Sequence, residues 1–139
     1  EPIFGPGRFG SSSYLDLSLS AGESEVELDF DMGIEALHAH PKVLCDRGSV
    51  AIARGPLLYC AESIDNPGLD LEALEIECRS LRFEMAELPK KAAGLGIAFG
   101  QIRGACSEGR EIRLLPYSLW GNRGEGAMQV WLRESKVEP

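Results

Sequence analysis

Ser49-Val50-Ala51-Ile52-Ala53-Arg54-Gly55-Pro56-Leu57-Leu58-Tyr59-Cys60-Ala61-Glu62 consists of two short apolar runs separated by Gly55-Pro56. Runs of this kind, bounded by turn residues, read as strands, with Pro presetting the turn and Gly relieving it. The same pattern spreads outward from this stretch. Strands are expected at Leu81 to Met85, Gly96 to Arg103, Glu111 to Leu115 and Ala127 to Arg133. Gly48, Asn66-Pro67-Gly68, Gly104, Gly109 and Asn122-Arg123-Gly124 punctuate them. Upstream, Leu15, Leu17 and Leu19 alternate with Asp16 and Ser18. Val26, Leu28, Phe30 and Met32 alternate with Glu25, Glu27, Asp29 and Asp31, which predicts a half-buried antiparallel strand with an acidic outer face.

Many short strands with regular turns predict an all-β chain, an antiparallel β-sandwich of jelly-roll character. Composition agrees: 16 Gly and eight Pro accompany 44% apolar residues in a chain of 139, long enough to bury a core without covalent staples. One stretch reads two ways. Leu71, Leu74, Cys78, Leu81, Met85 and Leu88 step by three and four, as an amphipathic helix would, whereas Leu74, Ile76, Cys78 and then Leu81, Phe83, Met85 alternate as strands.

A net charge of −8 makes a nucleic-acid backbone or an anionic membrane surface an unsuitable partner, while a neutral sugar is compatible. No apolar run has the ~20 residues of a membrane helix, and the first residues carry neither a basic nor an apolar targeting region. The chain reads as soluble; its compartment stays open, with the cytoplasm slightly favoured. Cys45, Cys60, Cys78 and Cys106 contain no Cys-x-x-Cys pair, so a zinc ribbon or thioredoxin-type site is not indicated, and they read as buried free thiols.

Several constellations bear on chemistry. His38-Ala39-His40 would place two imidazoles on one side of a strand, but no third ligand stands at metal-site spacing, and a linker is the preferred reading. A domain boundary is expected between His38 and Asp46, where Pro41 interrupts any regular ladder. Glu62 and Asp65 form a carboxylate pair of the kind glycoside hydrolysis uses, although acids flanking a turn are ordinarily solvated. Gly-x-Ser-x-Gly does not occur, and Gly5 to Gly10 lacks the Gly-Lys-Ser/Thr ending of a phosphate loop, leaving a mobile terminal segment as its reading. Tyr117, Trp120, Asn122 and Arg123, joined by Trp131, form a set suited to sugar: aromatic faces for stacking and polar groups for hydroxyls. The same aromatics also suit packing at one end of a sandwich.

Arg54-Gly55-Pro56-Leu57-Leu58-Tyr59-Cys60-Ala61-Glu62 with Asp65-Asn66, and Leu114-Leu115-Pro116-Tyr117-Ser118-Leu119-Trp120-Gly121-Asn122-Arg123-Gly124, together resemble the carboxy-terminal β-sandwich region of bacterial family 127 glycoside hydrolases, the β-L-arabinofuranosidases. The resemblance spans about residues 14 to 133 and departs from the family pattern at Leu58, Ser118, Leu119 and Gly121. It implies extended structure rather than helix over residues 69–88. It implies strands of a preceding middle sandwich plus linker in residues 1–44, and the last sandwich in residues 45–139. It also implies that catalysis, by a cysteine nucleophile held with other thiolates and a glutamate around zinc, resides in a helical barrel preceding this chain. No residue here is then catalytic, no cofactor is expected in this chain, and zinc is expected only in the barrel.

The expected role is a non-catalytic accessory sandwich that packs on the barrel. The alternative is an independent carbohydrate-binding module for arabinose-containing glycans, using Tyr117, Trp120, Asn122, Arg123 and Trp131. Solvent-facing, coplanar aromatics would favour the second and buried ones the first. A sheet edge left open in the first strands predicts homodimerisation through residues 1–37.

Overall fold

The computed structural model describes residues 21–27, 29–86, 100–122 and 124–135. The chain divides into two compact units, Glu1–Phe30 and Asp31–Pro139. The expected strand at Leu15–Leu19, the Gly5–Gly10 segment, Leu88, residues 96–99 of the Gly96–Arg103 strand, and Arg123 lie outside the described residues. The expected acidic strand does not form: residues 25–27 and 29–32 belong to no ladder. Alternation prepares a strand's two faces, but its backbone groups need a neighbouring strand, and none pairs here among the described residues.

In the second unit, nine strands are described: β1 Ile34–His38, β2 Ser49–Arg54, β3 Leu57–Glu62, β4 Glu75–Ile76, β5 Arg82–Met85, β6 Gly100–Cys106, β7 Arg110–Pro116, β8 Met128–Gln129 and β9 Leu132–Glu134. The structure is all-β, consistent with a β-sandwich, and the only helical turns among these residues are three-residue 3-10 turns. Over residues 71–85 the strand reading prevails, as β4, a 3-10 turn at Cys78–Ser80 and β5. The expected Ala127–Arg133 strand is broken at Val130–Trp131 into β8 and β9. β1 pairs with β2 along its whole length, from Ile34 opposite Arg54 to His38 opposite Val50, so this unit begins ahead of the boundary expected near His38 to Asp46.

The β2–β3 hairpin turns on Gly55-Pro56, with Arg54 opposite Leu57. Gly55 has φ 54°, the positive value that the first central position of a II′ turn requires, and proline's fixed φ suits the second.

The pairings close on themselves. β2 pairs with β3, β3 with β7, β7 with β6, β6 with β4, β4 with β9, and β9 with β2. Five of these contacts are antiparallel, and the β4–β9 pair is parallel, with Glu75 opposite Arg133. Each strand of this ring is therefore paired on both sides, which removes open edges from the ring. Alternate residues point inward: Val50 and Ile52, Tyr59 and Ala61, Ile102, Ile112 and Leu114, with Ile76 and Leu132, all buried in one core. Arg54 stacks its guanidinium 3.7 Å over the Phe83 ring. Glycine at position 100 makes room for that ring, since a Cβ there would lie 2.0 Å from Phe83 Cζ.

Candidate functional site

The two segments with the most distinctive sequences meet at one end of the ring, and hydrogen bonds between them fix the loop that carries the aromatics. Tyr59 and Cys60 pair with Pro116 and Leu115, a register that would place Glu62 opposite Arg113. At Ala61 and Glu62, however, β3 turns to pair with β8. The Asn66 side chain takes the vacated position. Its Nδ2 donates to the carbonyls of Arg113 and Glu62, both at 2.9 Å, and its Oδ1 accepts from the Arg113 N–H at 2.7 Å. A buried primary amide thus reproduces a peptide group and extends the ladder by one step.

Glu62, 5% exposed, reaches the other way, and its Oε1 accepts from the Gly121 N–H at 2.8 Å. That bond holds the turn after the 3-10 segment Tyr117–Leu119, whose Leu119 is buried beneath it. Gly121, at φ 70°, permits the turn. Glu62 is therefore an anchor for the loop. Asp65 lies 3.9 Å from the Arg113 guanidinium, so the candidate carboxylate pair serves the architecture of this end rather than facing a common reaction centre.

On the anchored loop, Tyr117 and Trp120 both project to solvent, with ring centroids 6.3 Å apart and planes inclined by 37°. Asn122 donates to the Leu119 carbonyl at 3.1 Å, which turns its amide back on the loop. Trp131 stands apart from this pair. It is exposed in the bend before β9, while the adjacent Leu132, the first residue of β9, is fully buried. It lines a separate cleft of about 750 Å³ with Arg47, Glu72, Glu75, Gln129 and Arg133. The exposed rings meet half of the expectation for a sugar platform, and their inclination departs from the coplanar half. The grouping of Trp131 with Tyr117 and Trp120 is not what the fold produces. Asn66 and the residues around Trp131 are what sequence reasoning missed; those around Trp131 come from separate segments, and no local spacing unites them.

The remaining candidates have structural partners. His38 Nε2 donates to Glu134 Oε2 at 2.9 Å, tying β1 to β9, and His40 Nδ1 accepts from the Lys42 N–H at 3.2 Å. Among the described residues, no three His, Cys, Asp or Glu side chains are placed to share a metal ion. The four cysteines are unbridged. Cys60 and Cys106 are buried and Cys78 is half-buried, but Cys45, expected to be buried, is exposed on the 3-10 turn Leu44–Asp46. Burial, and then the neighbouring Glu134 carboxylate, push the Cys78 thiol up to about 11; burial likewise raises Cys106. Neither is poised as a thiolate nucleophile at neutral pH. On the outer face of β5, β6 and β7, Arg82 and Arg103 both bind Glu111 and Glu84. Hydrogen bonds from Arg82 and Arg103 hold the Glu111 carboxyl below its usual range.

A model of the glycoside hydrolase family 127 C-terminal domain matches residues 34–133. A non-reducing end β-L-arabinofuranosidase from Bifidobacterium longum subsp. longum is 32% identical, in an alignment covering 86% of this chain and 21% of that protein. Among solved structures, a family 127 β-L-arabinofuranosidase from Geobacillus stearothermophilus T6 aligns with a TM-score of 0.61 at 32% identity, covering 75% of this chain and 18% of that one. A second family 127 β-arabinofuranosidase gives a TM-score of 0.59 at 31% identity, covering 76% and 18%. The chain thus spans about a fifth of the length of the relatives it matches. No described helix is long and apolar enough to cross a membrane.

Proposed function

Because the chain belongs to glycoside hydrolase family 127, whose C-terminal domain it carries, we propose that it is the non-catalytic accessory sandwich of a β-L-arabinofuranosidase-like enzyme. It packs on, and stabilises, a catalytic barrel encoded by the rest of the parent protein. The observation that carries this reading is the match to the family's C-terminal domain over residues 34–133. Tyr117 and Trp120, exposed but inclined by 37° rather than coplanar as a sugar platform would have them, would serve as its anchors on the barrel, on a loop held from below by buried Glu62 and Leu119. Rigid aromatic anchors of this kind are typical of the residues that dominate protein interfaces.

Residues 1–44 are then assigned to the middle sandwich and its linker, and the rest of the parent would supply the strand partners that residues 25–27 and 29–32 lack here. Zinc belongs to the barrel. The unbridged cysteines suit a reducing compartment, and the cytoplasm is the location we assign. Of the segment proposed for homodimerisation, residues 34–37 are laddered to β2 on one side, so a dimer would use the other edge of β1.

A second reading has one observation in its favour. The same exposed rings are available to stack on an arabinose-containing glycan, as an independent binding module would require. The two are separated by measuring Tyr117→Ala and Trp120→Ala in the parent protein and in this chain alone. Docking predicts a loss of about 2 kcal/mol per ring in the parent, at the level of an interface hot spot, with little change in the isolated chain. Equal effects in both would overturn docking, and loss of glycan binding by the isolated Trp120→Ala chain would establish the second reading.

A further inference from the structure

We propose that the cleft beside Trp131 is a binding subsite for a neutral saccharide of one to three pentose units, separate from the Tyr117–Trp120 face. The choice of sugar as the ligand class rests on the reading of the chain as part of a glycoside hydrolase; the location rests on the cleft alone. Its volume of about 750 Å³ lies within the ~300–1,000 Å³ of small-ligand sites.

One wall is built on paired backbone. Arg133 stands opposite Ser49 on one side and Glu75 on the other, and the Glu134 N–H donates to the Gly48 carbonyl at 3.0 Å. Glu75 and Arg133 therefore project from the three-strand junction of β2, β9 and β4, Trp131 stands in the bend just before β9, and Arg47 and Glu72 lie on the adjoining turns.

The lining chemistry selects the ligand class. Trp131 supplies the one aromatic face, exposed at 36% although Leu132 beside it is fully buried. A ring of this kind stacks on the C–H surface of a sugar. Arg47, Arg133 and Gln129 offer donors, and Glu72 and Glu75 offer acceptors, so hydroxyls have partners of both kinds. Acidic side chains outnumber basic ones around the cleft, by Asp46, Glu72, Glu75 and Glu134 against Arg47 and Arg133, which disfavours an anionic ligand. An apolar ligand would leave these charges unsolvated and unpaired.

Trp120 and Trp131 are the two tryptophans of the chain, which makes the test direct. A Trp120→Phe variant leaves Trp131 as sole reporter and is titrated with arabinose and with arabino-oligosaccharides of two and three units. The expected result is a saturable change in emission. Calorimetric titration should show that binding is lost in Trp131→Ala and weakened about tenfold in Arg47→Ala, a substitution on an exposed turn that leaves the core intact. Circular dichroism confirms folding; should Trp131→Ala not fold, Arg47→Ala and Glu75→Gln decide the matter. Absence of saturable binding in the folded chain would overturn the proposal without touching the docking reading. Binding that survives these cleft substitutions but is lost in Trp120→Ala would overturn it in favour of the other aromatic face.

Discussion

Replacing Asn66 tests whether one side-chain amide acts as a segment of the sheet. Three hydrogen bonds of 2.7 to 2.9 Å would be lost in Asn66→Ala, stranding the Arg113 N–H and two carbonyls in a region where Asn66 is only 4% exposed. At about 1 kcal/mol net for each bond, the cost is about 3 kcal/mol. Asn66→Asp is the sharper variant. It keeps size and shape and can still accept from Arg113, but as a carboxylate it faces two carbonyl oxygens with no proton to donate. It also adds negative charge close to Glu62 and Asp65. Asn66→Asp should therefore cost at least as much as Asn66→Ala at neutral pH, and the deficit should shrink in acid as the carboxyl regains a donor. Urea unfolding followed by circular dichroism reads both, as a lower midpoint with an unchanged slope. An Asn66→Asp variant within about 0.5 kcal/mol of the parent sequence at neutral pH would refute the peptide-mimic argument, because shape would then suffice.

Three further outcomes follow from the packing and the ionisable groups. Gly100→Ala should cost about 1 to 3 kcal/mol by overpacking, since the new Cβ falls 2.0 Å from Phe83 Cζ, and Phe83→Leu in the same chain should recover part of the loss, a non-additivity read by a double-mutant cycle. Thiol labelling of the folded chain at neutral pH should find Cys45 reactive, with Cys60, Cys78 and Cys106 reacting only on unfolding. Because folding raises the Cys78 pKa to about 11, its contribution is fully present below the unfolded value of about 8.5 and is lost as pH climbs through about 11, visible as alkaline destabilisation absent in Cys78→Ala. Glu111, lowered by Arg82 and Arg103, has the opposite sign: its contribution exists above the unfolded carboxylate pKa and disappears as pH falls through the folded one. At 43% side-chain exposure it is screened, so Glu111→Gln should cost under about 1 kcal/mol, less in high salt.

The strands with internal turn signals were legible residue by residue. β2 and β3 run from Ser49 to Arg54 and from Leu57 to Glu62, as read, because Gly55-Pro56 leaves the chain one way to turn. Over residues 71–85 the helical spacing of Leu71, Leu74, Cys78 and Leu81 was a coincidence of two short strands and a 3-10 turn, and periodicity alone could not expose it. The Glu25–Met32 alternation misled for a different reason: it describes faces, whereas a strand also needs a partner, and partners are not written locally. At the candidate site the residue types were readable, but whether the aromatics face solvent or pack was not, and the structure exposes Tyr117, Trp120 and Trp131. Their distribution over two places was not readable either, since β8 and β9 carry Trp131 to the β2–β4 junction through pairings between distant segments, Ser49 with Arg133 and Glu75 with Arg133. The importance of Asn66 was hidden in the same way, its main partner being Arg113.

The insertion of β9 between β2 and β4 has a bearing on synthesis. Every other strand of the ring leaves the ribosome before Leu132–Glu134, yet none of them can complete the circuit, because the seat between the second strand and the fourth stays empty until those last residues arrive. A nascent chain therefore holds an open sheet, with the Ser49–Val50 end of β2 lacking its β9 partner, throughout translation of the intervening residues. Folding of this unit is committed at its end rather than built up progressively, and truncations within β9 should release a chain with secondary structure in place but no closed core.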